Sequence, residues 1–276
     1  MDVLDLPGPL LSGAARRRRL LLIGRVVLAI AVLAAAAGSA AAQDRALSRD
    51  FPLHLDDAFP TATGEGAARV SVRGVLPRHG ADRVEGPMSL ELGVAPRTQL
   101  SVSTQWSSEP NETNAGDITL TGRYQLWVQE AMLPNLAAQV SITAPTGVDS
   151  RAWTFEAKGM ATRAVDANLF VHFNASAVVV DRLDDDARRV RYRLALGPSW
   201  IVPHMATLML AGDVFAEQGS ARGERTTVGV EVGFRHHIVG PFDWHGAVGT
   251  EFAGPGTRAA FTVTTGLSFG FSLPGW

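Results

Sequence analysis

Apolar and polar residues alternate along the chain from Ala67 onward. Val228, Val230, Val232 and Phe234 fall on one face, and Thr227, Gly229, Glu231, Gly233 and Arg235 on the other. Closer to the C-terminus, Ala259, Phe261, Val263, Thr265, Leu267, Phe269 and Phe271 share a face opposite Ala260, Thr262, Thr264, Gly266, Ser268, Gly270 and Ser272. A period of two is that of a β-strand, whose successive side chains point to opposite sides. The pattern predicts strands over 67–76, 86–94, 98–106, 116–127, 136–145, 151–163, 168–179, 189–200, 206–215, 225–238, 244–252 and 258–273.

The connections alternate as well. Ala95-Pro96-Arg97, Val165-Asp166, Pro203-His204 and Gly240-Pro241 read as short turns. Pro77 to Glu85, Ser107 to Ala115, Asp181 to Arg188 and Ala216 to Glu224 are polar and mostly longer. Short periplasmic turns and longer external loops characterise outer-membrane barrels, and an even strand count returns both ends to the periplasm.

A soluble β-sandwich alternates too, with its apolar face inward. Three features favour the membrane. The strands are about as long as a tilted membrane strand, roughly 9–11 residues. Trp106 and Trp153 fall beside external loops, and Trp127, Trp200 and Trp244 beside periplasmic turns, as two interfacial aromatic girdles require. The final strand runs toward a C-terminal aromatic, Trp276, although Pro274 and Gly275 intrude. The expected fold class is therefore all-β, a transmembrane antiparallel β-barrel of about 12 strands over residues 67–276.

The N-terminus sets the compartment. A basic run, Arg16 to Arg19, precedes an apolar stretch from Val26 to Ala37 and a small-residue site, Ser39-Ala40-Ala41-Ala42. These are the three parts of a secretory signal peptide, expected over 1–42 with cleavage after Ala42. Residues 43–66 then form a periplasmic N-terminal segment. Its Asp56-Asp57 could fold into the periplasmic mouth as a plug, but a disordered leader is the plainer expectation. The expected location is the bacterial outer membrane, and the expected partners are its lipid and the barrel assembly machinery.

Removing 1–42 takes away five arginines and two aspartates, which leaves 20 basic against 25 acidic residues. A net charge near −5 gives no case for nucleic acid, which wants a basic face. The chain has no cysteine, so disulfides and thiol chemistry are excluded. The charges that remain sort to one side. With apolar faces toward lipid, Arg69, Arg73, Glu91, Asp117, Arg123, Glu156, Lys158, His172, Arg191, Arg193, Asp213, Glu231, Arg235 and Glu251 all point inward. A charge on the lipid face costs up to ~2–4 kcal/mol at the midplane, which is the cause of the sorting. Arg123, Glu156, Lys158, His172, Arg191, Arg193, Asp213, Glu231, Arg235 and Glu251 are the candidate lumen-lining residues. They either line a pathway for polar solutes or pair with one another and fill the lumen. Twelve strands lie between the filled eight-stranded barrel and the open channel of sixteen to eighteen.

No catalytic, cofactor-binding or metal set emerges. His172, Asn174 and Ser176 share a face, but inward, and nothing nearby completes a nucleophile, base and orienting partner. His236 and His237 are neighbours on opposite faces and cannot jointly hold a metal. Asp181 to Asp186 lacks the glycine and distal glutamate of a calcium loop.

Three segments carry a family resemblance beside the N-terminal "FPLHLDDAFP" of 51–60: "LELGVAPRTQLSVSTQW" of 90–106, "GDITLTGRYQL" of 116–126 and "VSITAPTG" of 140–147. In this order they resemble the outer-membrane family named for the meta-cleavage pathway of phenol degradation, a family similar to the pore that secretes functional amyloid. The resemblance implies a barrel that passes small organic compounds and carries over no catalytic residue. A long coiled-coil extension of the amyloid-pore type is not found, which argues against that role. The function expected is a porin-like channel or transporter for small organic solutes, working passively and not as an enzyme. The alternatives are a closed structural or assembly barrel and, further off, a barrel-sited lipid-modifying enzyme.

Overall fold

The computed structural model of the chain describes residues 53–109, 112–130, 133–148, 150–181, 186–256 and 258–274. Residues 1–42, where a signal peptide is expected, residues 43–52 and Trp276 lie outside them. The strands in chain order are β1 (Glu65–Pro77), β2 (Arg83–Ala95), β3 (Thr98–Glu109), β4 (Glu112–Ala115), β5 (Ile118–Trp127), β6 (Asn135–Ala144) and β7 (Thr154–Ala164). They continue with β8 (Leu169–Val180), β9 (Val190–Ile201), β10 (Leu208–Glu217), β11 (Thr227–Val239), β12 (Phe242–Ala253) and β13 (Ala259–Ser272).

Every pairing between these strands is antiparallel, and β1 pairs with β13 from Glu65 opposite Ser272 to Pro77 opposite Ala259. The sheet therefore closes on itself. β4 pairs with the far end of β3 and β5 with its near part, so β4 and β5 are two pieces of one wall strand. They are separated at Gly116-Asp117, where the Asp117 carboxylate accepts hydrogen bonds from Gly147 N–H and Ser150 Oγ, each at 2.8 Å. The wall is a closed barrel of twelve strands, as the alternation predicts, and the strand ends lie within a few residues of the expected ones.

Closure and sidedness are both what a barrel surrounded by lipid would require. Lipid cannot satisfy an open strand edge, and it rejects charge. Val70, Leu120, Val140, Leu196, Val232 and Leu267 all stand exposed on the outer face. Their strand neighbours Arg69, Thr121, Gln139, Ala195, Glu231 and Ser268 are buried inside. Trp127, Trp200 and Trp244 lie on the outer face near one end, and Trp153 near the other. Trp106 covers Gly86 on the neighbouring strand, where a Cβ would collide with its indole.

The end at which β1 begins and β13 ends, with the Pro96-Arg97 and Gly240-Pro241 turns, is here the turn end. The opposite end is the loop end. The largest departure from expectation lies between them. Residues 53–64 are not a disordered leader: they run inside the barrel in its turn-end half. Leu55, Asp56, Asp57 and Ala58 are all buried, Asp57 and Ala58 to 0% exposure.

Candidate functional site

The segment 53–64 is held by side chains from the wall. Asn174 clamps the Asp56 backbone on both sides, accepting from its N–H and donating to its carbonyl at 2.9 Å. The Thr162 hydroxyl accepts from Ala58 N–H at 2.9 Å, and Gln99 Oε1 accepts from Thr61 N–H at 2.9 Å. The Thr61 hydroxyl donates to Glu91, which also binds the Arg69 guanidinium at 2.7 Å. At the entry, Gly64 N–H donates to the Gly93 carbonyl at 2.8 Å. A Cβ at Gly93 would collide with the Ala62 carbonyl, so only glycine lets the segment lie this close.

Apolar contacts complete the fit. Leu55 is buried among Phe170, Ala195, Ile201, Met209, Ala211 and Phe215, all on the inner face. Ala58 packs with Ala137 and Met160. A fully buried leucine is worth about 1.5–3 kcal/mol relative to exposure, comparable with several of the hydrogen bonds together.

Charge is concentrated on the same segment. The Arg123 guanidinium, 2% exposed, lies 3.2 Å from Asp56 Oδ1 and 3.6 Å from Asp57 Oδ1. Lys158 Nζ reaches Asp56 Oδ2 at 2.6 Å. Burial pushes the Asp57 carboxyl up to about 8, against the opposing pull of Arg123 and the Phe59 N–H. Two cations thus face two acidic groups in a largely buried space.

The structure directs all ten candidate lumen residues inward but does not gather them. Arg123 and Lys158 bind the plug. His172 is also in this half, with Thr162 at 3.0 Å on Nδ1 and Ser199 at 2.8 Å on Nε2. Ser199 is a serine–histidine neighbour that the strand pattern did not reveal. The three are 0–2% exposed, which leaves no room for a substrate. Arg235 lies opposite Met209 on β10, also toward the turn end. Asp213 and Glu231 face each other across β10 and β11 at mid-height. Toward the loop end, Arg193 Nε lies 2.9 Å from Glu217 and its Nη1 4.0 Å from Glu156, with Arg191 half-buried nearby. Glu251 caps the start of β13, accepting from Ala259 N–H at 2.7 Å.

The strand pattern does not reveal several residues of the plug and its surroundings. His54 lies on the plug, with Nδ1 2.8 Å from Glu231 Oε2. His245 is buried against the Ser71 hydroxyl at 2.8 Å. The inner apolar cluster had a signal in β10, where Leu208, Leu210 and Val214 face out while Met209, Ala211 and Phe215 face in. A strand apolar on both faces has something apolar to cover on each.

Above the plug the lumen opens into a cavity of about 630 Å³. Leu53 and His54 form its floor, and Arg69, Ser71, Arg73, Ser89, Ser103, Thr264 and Glu231 are among its walls. A second space of about 210 Å³ adjoins His54, Lys158 and Arg193.

No family model and no curated protein matches the chain. Solved structures do. A porin described as KdgM in complex with disordered oligogalacturonate is 10% identical, with TM-score 0.52 over 73% of this chain and 98% of that one. The NanC porin is 9% identical, with TM-score 0.54 over 74% of this chain and all of the other. At such identity the likeness is one of fold: this chain has the architecture of outer-membrane β-barrel porins and channels.

Proposed function

We propose that the protein is an outer-membrane channel for small organic solutes, working passively, whose lumen is stoppered from within by residues 53–64. The observation that carries the reading is the division of the lumen. A polar, charged cavity of about 630 Å³ occupies one half, and a tethered segment of the same chain fills the other. A barrel serving only as a scaffold has no need of such a cavity. Serine, threonine and arginine on the cavity wall suit polar or anionic solutes better than hydrocarbons. The resemblance to the phenol-degradation outer-membrane family supports small organic compounds as the general class. The sealed surroundings of His172 favour a protein that is not an enzyme.

The test is single-channel conductance in a planar bilayer, comparing the mature protein with an Asp56→Ala/Asp57→Ala variant. The variant removes the carboxylates that hold the segment to Arg123 and Lys158. It should open more often or conduct more than wild type. If neither conducts, the channel reading fails and a closed structural barrel takes its place.

A further inference from the structure

We propose that His54, Asp213 and Glu231 form a divalent-metal site of the zinc class that ties the N-terminal segment to the barrel wall. Among the described residues, one donor atom from each lies within 4.8 Å of the other two. His54 comes from the plug, Asp213 from β10 and Glu231 from β11. The inference rests on the segment being docked, not on whether the barrel conducts.

The need for a cation follows from the charges. Asp213 and Glu231 are register partners, 3% and 4% exposed. Like charges placed directly opposite on neighbouring strands repel, and burial sharpens the cost. Arg73 Nη2 lies 3.6 Å from Glu231 Oε1 and offsets one of the two. Among the described residues, no arginine or lysine forms an ion pair with Asp213. The backbone N–H groups of His54 and Leu55 approach it, yet neither carboxylate oxygen accepts a well-formed hydrogen bond. A buried carboxylate in that condition keeps its lone pairs available to a further ligand.

The geometry suits a small ion. Bonds of about 2.0–2.2 Å from a tetrahedral zinc place donors roughly 3.3 Å apart. The donors here span 2.8 Å, from His54 Nδ1 to Glu231 Oε2, up to 4.8 Å, so sub-ångström to ångström shifts suffice. The His54 ring is already oriented: it stacks on Phe215 with centroids 3.7 Å apart. Its backbone N–H donates to Glu231 Oε2 at 3.1 Å. His54 and Glu231 border the large cavity, which supplies an entry route and space for a water in the fourth position. One imidazole and two carboxylates suit zinc-like ions, whereas magnesium and calcium prefer more oxygens.

The test uses the mature chain folded in detergent micelles, stripped with a chelator, and titrated calorimetrically with Zn²⁺ and with Mg²⁺. One Zn²⁺ per chain is expected, with far weaker Mg²⁺ binding, and Zn²⁺ should raise the temperature at which the barrel unfolds. His54→Ala and Asp213→Asn each remove a direct ligand. Each should weaken Zn²⁺ binding by at least the about 10–100-fold that loss of a mere supporting group costs. His237→Ala, whose histidine pairs with Asp243 at the turn end, should bind as wild type does. Gel mobility before and after boiling shows which variants are folded, and His54→Ala, off the wall, decides the matter if Asp213→Asn does not fold. The proposal is overturned if folded wild type binds no Zn²⁺, in which case the two carboxylates hold a proton instead. It is also overturned if His54→Ala binds as tightly as wild type. A barrel that binds Zn²⁺ but never conducts keeps this site and loses the channel; the converse loses only the site.

Discussion

Arg123 and Arg193 sit on the inner faces of equivalent strands, yet the barrel treats them differently. Arg123 is sealed in the turn-end half between Asp56 and Asp57, with its side chain 2% exposed. Arg193, toward the loop end, keeps 38% of its side chain exposed while it pairs with Glu217 and Glu156. The period of two sends both inward for the same reason, exclusion from the apolar outer face. What each charge does there depends on whether a piece of the chain has come in to meet it. In one half the inner charges are structural, and in the other they border open space.

Removing Arg123 should break the sealed half most severely. Arg123→Ala takes away the guanidinium that lies between Asp56 and Asp57. Truncating one partner of a buried pair costs about 3–5 kcal/mol. Denaturant unfolding in micelles should show a loss of that order, and conductance should rise because the plug is loosened. A loss no larger than that of Arg193→Ala would mean that the two halves do not differ.

The outer face sets the next scale. Val263→Arg points a charge at lipid and should cost about 2–4 kcal/mol if it lies near the midplane. Thr264→Arg, one residue along, enters the cavity that Thr264 lines and should cost much less. Yield of heat-modifiable barrel after refolding measures both. Equal damage would show that the inner cavity is not open to a side chain.

Gly93 tests the plug without touching a charge. Gly93→Val drives carbon into the Ala62 carbonyl and overpacks the entry, at about 1–3 kcal/mol. The wall itself should survive, since β2 keeps its pairing. Protease accessibility near residue 60 should increase while the barrel stays resistant. Unchanged protection would mean that the segment enters by another path.

These differences explain what the sequence showed and what it did not. The strands were legible because lipid on one side and water or polar groups on the other act on every residue, so the pattern repeats. The inward direction of Asp213 and Glu231 followed from phase alone. The plug was not legible, because "FPLHLDDAFP" has no period and its partners are remote. Asp56 meets Asn174 118 positions away, and His54 meets Glu231 177 positions away. Nor could phase say which inner charges would pair. Arg191, Arg193, Asp213, Glu231 and Arg235 share a face on β9, β10 and β11, and phase alone does not tell such a set from one cluster. They are spread along the barrel axis instead, from Glu217 and Arg193 near the loop end to Met209 and Arg235 near the turn end. A strand advances about 3.3 Å per residue, so the four positions from Asp213 to Glu217 alone separate groups by roughly 13 Å.

The smallest effect on stability is expected at Arg193, and it is the one that bears most directly on transport. The Arg193 pairs are partly solvated, and such pairs contribute about 0–1 kcal/mol. Arg193→Ala should therefore leave unfolding nearly unchanged. It removes a positive charge from the open half, however, and leaves Glu217 and Glu156 without it. If ions pass this point, the local potential becomes more negative and cation preference rises. The reversal potential across a salt gradient reads this directly. The measurement is best made in the Asp56→Ala/Asp57→Ala background, where the plug no longer limits the current. A shift toward cations with unchanged stability places Arg193 on the conducting path. An unchanged reversal potential in a conducting barrel means that ions cross elsewhere in the lumen, and that Arg193 serves only to pair its two acids.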